Sequence, residues 1–255
     1  SETYDILIGE NILASALARF AGGGRFCLVT DSNVEPLYGD LVRGLLKAHG
    51  SVSGFTFPAG EPSKTLGTFS LLLEHLASAG LTRSDTVVAL GGGVTGDLAG
   101  FAASCYLRGV RVLQIPTTLL AMIDSSVGGK TAIDLAAGKN LAGAFWQPSV
   151  VIADVGCLAT LTPEQFADGC GEVVKHAVIA DPELFAELEK TPLTLELLNH
   201  DVARVALIIA RNIDIYGSNS GMSRSIKVQY QKLDELQQEI LEENETLVRS
   251  FFSVC

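Results

Sequence analysis

Charge is scarce in this chain: Asp, Glu, Lys and Arg make up only 18% of its 255 residues. Basic residues are the scarcer kind, 18 against 29 acidic ones, so the net charge is 18 − 29 = −11. No Lys/Arg cluster interrupts that balance, which leaves nothing to attract a phosphate backbone and excludes nucleic acid as the expected partner. None of the five cysteines (Cys27, Cys105, Cys157, Cys170, Cys255) forms a C-x-x-C pair. The expectation is free thiols in a reducing compartment, four of them buried among apolar or small residues and Cys255 exposed at the terminus. Histidine is rare as well. His49, His75 and His200 lack H-x-x-x-H spacing and read as packing or surface residues. No apolar run is long enough to cross a bilayer, and Ser-Glu-Thr-Tyr-Asp at the N-terminus lacks the basic and apolar regions of a signal peptide. A cytoplasmic protein with no membrane partner is expected. No internal repeat stands out.

Apolar residues are plentiful, 47% of the chain, enough for one large α/β domain with something attached. Short apolar runs at 26–30, 52–57, 86–90, 110–115 and 149–153 alternate with helical patterns at 41–49 and 66–79, each helix closed by a glycine (Gly50, Gly80). That alternation predicts a parallel sheet with helices on both faces. Polar residues such as Asp31, Thr117, Thr118 and Asp154 fall just after strands, where open α/β sheets bind ligands. From Thr162 the pattern is helical only, beginning with the capping box Thr162-Pro163-Glu164-Gln165. The predicted organisation is an α/β domain over 1–160, the first helices of an incomplete α-helical domain over 161–215, a flexible linker over 216–225 and an amphipathic helical tail over 226–255. In the tail Ile226, Leu233, Leu236, Ile240 and Leu247 recur at helical spacing, offering a helix-helix partner surface over 226–252.

Gly91-Gly92-Gly93-Val94-Thr95-Gly96-Asp97 follows a predicted strand and opens a predicted helix, so it fits G-x-G-x-x-G in the required context. Glycines let backbone approach a pyrophosphate, and the helix N-terminus favours its charge. A bare packing turn would also explain them. The acidic ribose partner expected some 20 positions later is absent, since Arg108 and Arg111 occupy that region, and Asp31 is the candidate instead. Gly128-Gly129-Lys130-Thr131 is not a phosphate-binding P-loop, because its leading glycine would fall on Asp124. Asp124, Lys130, Lys139 and Asn140 form a polar constellation able to hold an anion and a hydroxyl, although separated lysines also serve as solvated surface. Glu172, Lys175 and His176, at i, i+3 and i+4, share one helix face. A carboxylate among Gly171 and two valines needs a cation, and a helix ion pair with Lys175 or a metal would supply one.

The blocks Gly91 to Gly100, Arg108-Gly109, Pro116 to Ala121, Asp124 to Asp134, Gly138-Lys139-Asn140 and Glu172-Val173-Val174-Lys175 resemble 3-dehydroquinate synthase, one of the sugar-phosphate cyclases. So do Asp31 to Val34 and Gly60 to Lys64, and the likeness extends over residues 1–215. The resemblance implies NAD contacts from Asp31, Asn33, Glu61, Lys64, Gly92, Gly93, Val94, Asp97, Thr117, Thr118, Lys139, Thr160, Leu161 and Thr162. It implies substrate contacts from Asp124, Lys130, Asn140 and Lys175, with Arg108 reaching a partner subunit's phosphate site in a homodimer built through the α/β domain. Glu172 would be one ligand of a catalytic zinc or cobalt. The implied reaction is the phosphate-eliminating cyclisation of 3-deoxy-arabino-heptulosonate 7-phosphate to 3-dehydroquinate in the shikimate pathway. NAD would oxidise a hydroxyl, phosphate would leave, the ketone would be reduced again and an aldol step would close the ring. The family's two zinc-binding histidines have no counterpart after Ile215, so these 255 residues are expected to be inactive as a synthase alone, with 222–255 reading as a foreign tail. Two alternatives are a related cyclase such as a 2-deoxy-scyllo-inosose synthase, and a carrier whose purpose is to display the C-terminal helix.

Overall fold

The computed structural model describes residues 4–219 and 226–230. Its centre is a parallel sheet in the order β3-β2-β4-β5-β8-β1-β9. The strands are β1 (Tyr4–Gly9), β2 (Gly24–Asp31), β3 (Gly50–Phe57), β4 (Thr86–Gly91), β5 (Arg111–Pro116), β8 (Val150–Asp154) and β9 (Ile226–Tyr230). Between β5 and β8 the chain forms an antiparallel hairpin outside the sheet, β6 (Lys130–Leu135) and β7 (Gly138–Phe145). Helices α1 (Leu13–Phe20), α2 (Asp40–Lys47), α3 (Leu66–Ser78) and α4 (Gly93–Cys105) connect the first strands.

Side-chain alternation along each strand divides the core. Phe26, Leu28, Val88, Leu90 and Leu113 point to the face covered by α1 and α2. Their neighbours Cys27, Val29, Val87, Ala89 and Val112 point to the face covered by α3 and α4. A third cluster joins Ile6 and Ile8 of β1, Val151 of β8 and the helical part of the chain. That part comprises α5 (Pro163–Ala180), α6 (Pro182–Lys190) and α7 (Val202–Asn219). The capping box holds as predicted, with the Gln165 amide N–H donating to Thr162 Oγ1 at 3.3 Å and the Thr162 N–H donating to Gln165 Oε1 at 3.0 Å.

Four expectations need correction. The tail helix fails at its start, because Ile226–Tyr230 pairs as a parallel strand with Tyr4 to Ile8. Ile226, Val228 and Tyr230 alternate with Lys227 and Gln229, a period of two that suits a strand better than the helical stripe read over the longer segment. Residues 231–255, which carry the remainder of that helix, lie outside the described residues. The first four residues of the expected linker over 216–225 are helical, since α7 runs through Asn219, and 220–225 likewise lie outside the described residues. Strand β1 and the β6–β7 hairpin had not been anticipated. Cys105 is exposed at the end of α4, whereas Cys27 and Cys157 are buried and Cys170 is half-buried.

Candidate active site

From β2 the chain turns through α2 to β3 on one side, and from β4 it turns through α4 to β5 on the other. The carboxyl ends of β2 and β4 therefore flank a topological switch point, the place where open α/β sheets leave a crevice. Asp31 ends β2, and Gly91-Gly92-Gly93 ends β4 and begins α4. Thr95 Oγ1 donates to Asp31 Oδ2 at 3.3 Å, closing the two strand ends together. The other oxygen, Asp31 Oδ1, accepts from the Asn33 and Val34 amides at 2.9 and 3.1 Å.

Each glycine of the turn has its own reason. A Cβ on Gly91 would lie 2.4 Å from Thr95 Oγ1, one on Gly96 2.8 Å from Gln114 Oε1 of β5, and one on Gly93 2.9 Å from Ser125 Oγ. The first glycine thus makes the tight turn, the third lets helix and strand pack, and the second keeps backbone close to neighbouring groups. No side chain caps the N-terminus of α4, so its first amides are free to meet an anion. Ser125 Oγ beside Gly93 is a buried hydroxyl with no hydrogen-bond partner among the described residues. Thr117 is buried and its amide donates to Gly91 O at 3.0 Å, while Thr118 Oγ1 accepts from the Ala121 amide at 3.2 Å.

A second group of side chains comes together from the turn at 61–64, from α4 and from the hairpin. Lys64, 4% exposed, donates from Nζ to Asp97 Oδ2 at 2.6 Å and to Asn140 Oδ1 at 2.5 Å. Burial pushes the Asp97 carboxyl up, Lys64 opposes it, and Glu61 and Asp124 push it further up. Asp124 is thereby close enough to be felt at Asp97. Lys139 reaches Glu61 at 3.3 Å from an exposed position. Lys130 begins β6 instead of a helix, and its Nζ lies 5.3 Å from the centre of the Tyr216 ring. This agrees with the exclusion of a P-loop, whose lysine opens a helix. Burial, followed by the Asp124 carboxylate, raises the Tyr216 phenol above its ordinary range.

On α5 the predicted shared face is present: Glu172 Oε1 lies 2.6 Å from Lys175 Nζ and 3.1 Å from His176 Nε2. His176 is held from behind by Asn212 Oδ1 at 3.1 Å, and Asn212 Nδ2 donates to Ile208 O at 2.7 Å. These are ion-pair and hydrogen-bond contacts. No group of three His, Cys, Asp or Glu that could hold a metal exists among the described residues. A catalytic zinc needs three protein ligands, so the described residues alone do not fit one, and Glu172 would have to be joined by others.

One part of the expected site stands apart. Arg108 is exposed in a turn before β5, at the opposite end of the strands from Gly91–Gly93. It has a left-handed backbone (φ 65°), as does Leu107 (φ 50°). Thr160 and Thr162 are exposed beside α5, where Thr160 Oγ1 meets Tyr38 Oη at 2.9 Å, Leu161 is half-buried and Thr162 caps the helix. Sequence reasoning missed Thr95, Ser125, Asn212 and Tyr216. Only Thr95 carried a signal, being a hydroxyl inside the glycine turn.

An open parallel sheet with a glycine turn and ion-paired polar groups at its switch point defines the class: a doubly wound α/β fold with a ligand-sized crevice at the carboxyl ends of its strands. Residues 54–168 match the family model described as 3-dehydroquinate synthase N-terminal, and the chain as far as about residue 215 is similar to the corresponding part of 3-dehydroquinate synthases. It is 44% identical over 213 residues to the 3-dehydroquinate synthase of Alkaliphilus metalliredigens, covering 84% of this chain and 59% of that protein. It thus spans well under two thirds of that relative's length. Among solved structures it superposes on ValA, a 2-epi-5-epi-valiolone synthase from Streptomyces hygroscopicus with NAD+ and Zn2+ bound. The TM-score is 0.79 at 30% identity, over 86% of this chain and 61% of that one. It also superposes on a 2-deoxy-scyllo-inosose synthase complexed with carbaglucose-6-phosphate, NAD+ and Co2+. There the TM-score is 0.69 at 30% identity, over 85% and 62% of the two chains.

Proposed function

We propose that residues 1–160 are the NAD-binding domain of a 3-dehydroquinate synthase, and that 161–215 begin the helical domain that carries its metal and substrate groups. The observation that supports this best is the uncapped N-terminus of α4 behind Gly92 and Gly93, joined to Asp31 through Thr95. NAD, when bound, supplies the hydride chemistry of a phosphate-eliminating cyclisation. In this reading α4 and Gly93 hold the pyrophosphate, Asp31 Oδ2 takes a ribose hydroxyl, and Val94, Thr117 and Thr118 line the cleft. Glu61, Lys64, Asp97 and Lys139 complete the cofactor side, with Asn33 and Thr160 to Thr162 at its rim. Asp124, Lys130, Asn140 and Lys175 face a sugar-phosphate substrate. Glu172 would be one ligand of a metal whose other ligands lie outside the described residues.

The ligands printed for ValA and the inosose synthase, NAD+ with Zn2+ or Co2+, support the cofactor assignment. The second of them also keeps a related cyclase open as the alternative substrate class. Calorimetric titration of the 255-residue chain with NAD, with and without zinc, tests the reading. Saturable one-site binding unaffected by zinc is expected; no heat or a zinc-dependent affinity would refute it. Assembly as a homodimer is supported by the hairpin, whose β7 exposes Leu141 and Phe145 at 59% and 79%. Trp146, the residue after Phe145, packs over Gly109 next to Arg108, so pairing through this edge would carry Arg108 towards the partner subunit. No helix among the described residues is long and apolar enough to cross a membrane. Four free cysteines among them support a reducing, cytoplasmic setting, which recovery from a membrane or oxidising fraction would contradict.

A further inference from the structure

We propose that Lys64 is the positioning residue of Asn140, fixing which end of its side-chain amide meets the substrate. The inference rests on the reading above, in which Asp97 lines the cofactor side and Asn140 the substrate side.

Lysine carries three N–H donors and no acceptor. Two of those donors are engaged inside the protein, by Asp97 Oδ2 at 2.6 Å and Asn140 Oδ1 at 2.5 Å, from a side chain only 5% exposed. Because an ammonium cannot accept, the amide atom that faces it has to be the oxygen. The NH2 end of Asn140, at an exposed position, is left to face outward with two donors. A ligand atom at this point must therefore be an acceptor, a carboxylate, phosphate, carbonyl or hydroxyl oxygen.

The backbone is held by the same device. Asn140 adopts φ 56°, a left-handed conformation that Asn tolerates better than most residues. Its N–H donates to Asp134 Oδ1 at 2.8 Å, and the Asp134 N–H donates to Lys64 O at 2.8 Å. Lys64 thus grips the hairpin through its own carbonyl and through its ammonium, while the ammonium also grips α4 at Asp97. Its role is to orient Asn140 and to tie the hairpin's substrate residue to the helix that lines the cofactor side, and direct contact with a ligand is limited to its one remaining N–H.

The test is run on the 15N-labelled 255-residue chain without any ligand, so it does not depend on NAD binding. The Asn140 side-chain NH2 pair is assigned by its disappearance in Asn140→Asp. In the unsubstituted chain, Lys64 Hε is expected to show no strong nuclear Overhauser contact to that pair. In Lys64→Met the pair is expected to move to the position of a freely rotating amide, while Lys64→Arg, which keeps donors, retains its dispersed shifts. An unmoved pair in folded Lys64→Met would overturn the proposal, as would strong contacts placing the nitrogen end on Lys64. Lys64→Met leaves Asp97 buried without its cation and can fail to fold, in which case the contacts in the unsubstituted chain decide. If that chain binds no NAD, the cofactor reading falls while these spectra still judge Lys64.

Discussion

Replacing Gly93 by alanine separates what the glycine turn does for the fold from what it does for a ligand. On the fold side two small effects oppose each other. Alanine in place of glycine in a helix is favourable by roughly 0.5–1 kcal/mol, less at the first position. The new Cβ would lie 2.9 Å from Ser125 Oγ and 3.4 Å from Ser125 Cβ. Ser125 Oγ makes no hydrogen bond among the described residues, so it can rotate away at a cost of about 1 kcal/mol, the order of an off-rotamer side chain. The net change in stability is therefore expected within about 1 kcal/mol of zero. On the ligand side the methyl stands at the N-terminus of α4, where a pyrophosphate must approach backbone amides. Losing that approach is expected to weaken NAD by ten- to a hundredfold, or about 1.4–2.8 kcal/mol. Gly96→Ala is the counterpart. Its Cβ would lie 2.8 Å from Gln114 Oε1, on a buried side chain already donating to Gly96 O at 3.2 Å, so it should cost about 1–3 kcal/mol of stability through overpacking. Urea denaturation and NAD calorimetry on both variants check the pair. If Gly93→Ala keeps full affinity, or Gly96→Ala is the variant that loses affinity without losing stability, the division of roles is wrong.

Asp154 makes a strong prediction about the fold. Its buried carboxylate accepts from the amides of Asn11, Ile12 and Gly156 at 2.9, 2.9 and 3.1 Å, and from Leu13 at 3.4 Å, tying β8 to the start of α1. Asp154→Ala leaves several of these donors without a partner and should cost about 3–5 kcal/mol, given roughly 1–3 kcal/mol per buried unsatisfied group; a urea midpoint shift worth less than 1 kcal/mol would show that water replaces the carboxylate. Phe145→Glu places a charge on the exposed face of β7 and should convert a dimer to a monomer in sedimentation, without moving the urea midpoint. An unchanged sedimentation coefficient would remove the hairpin from the interface.

The parallel sheet was legible because its strands are buried on both faces and read as short continuous apolar runs between glycine-closed helices, as at 26–30 and 86–90. The glycine turn was legible for a related reason: Gly91, Gly93 and Gly96 each sit where a Cβ would collide, so the constraint is written into the residue itself. Strand β1 and the hairpin were harder. Tyr4 to Ile8 follow no turn signal, and the hairpin's Lys130, Asp134, Lys139 and Asn140 look like scattered surface polar residues until the fold brings Asn140 to Lys64, 76 residues away in sequence. Long-range pairing leaves no local period. Ile226–Tyr230 failed in the opposite way, since five residues with period two were absorbed into a longer helical pattern.

The contacts around Glu172 bear on how the cofactor side depends on metal. This carboxylate is buried enough to need compensation, and within the described residues it has it. Lys175 supplies a charge at 2.6 Å, and His176 supplies a ring nitrogen at 3.1 Å, on a side chain locked by Asn212 and Ile208 O. A carboxylate supported in this way does not leave a buried charge that only a metal could satisfy. The glycine turn, meanwhile, is built from β2, β4 and α4, and its immediate partners Asp31, Thr95, Gln114 and Ser125 lie on other elements than α5. Nothing in that local construction requires Glu172 to be ligated first. In the proposed reading cofactor binding and metal binding are then separable, one resting on a strand-to-helix turn that is already formed and the other on a ligand set to which these residues would contribute the single carboxylate of Glu172. That is the physical reason zinc should leave the NAD affinity of the chain unchanged.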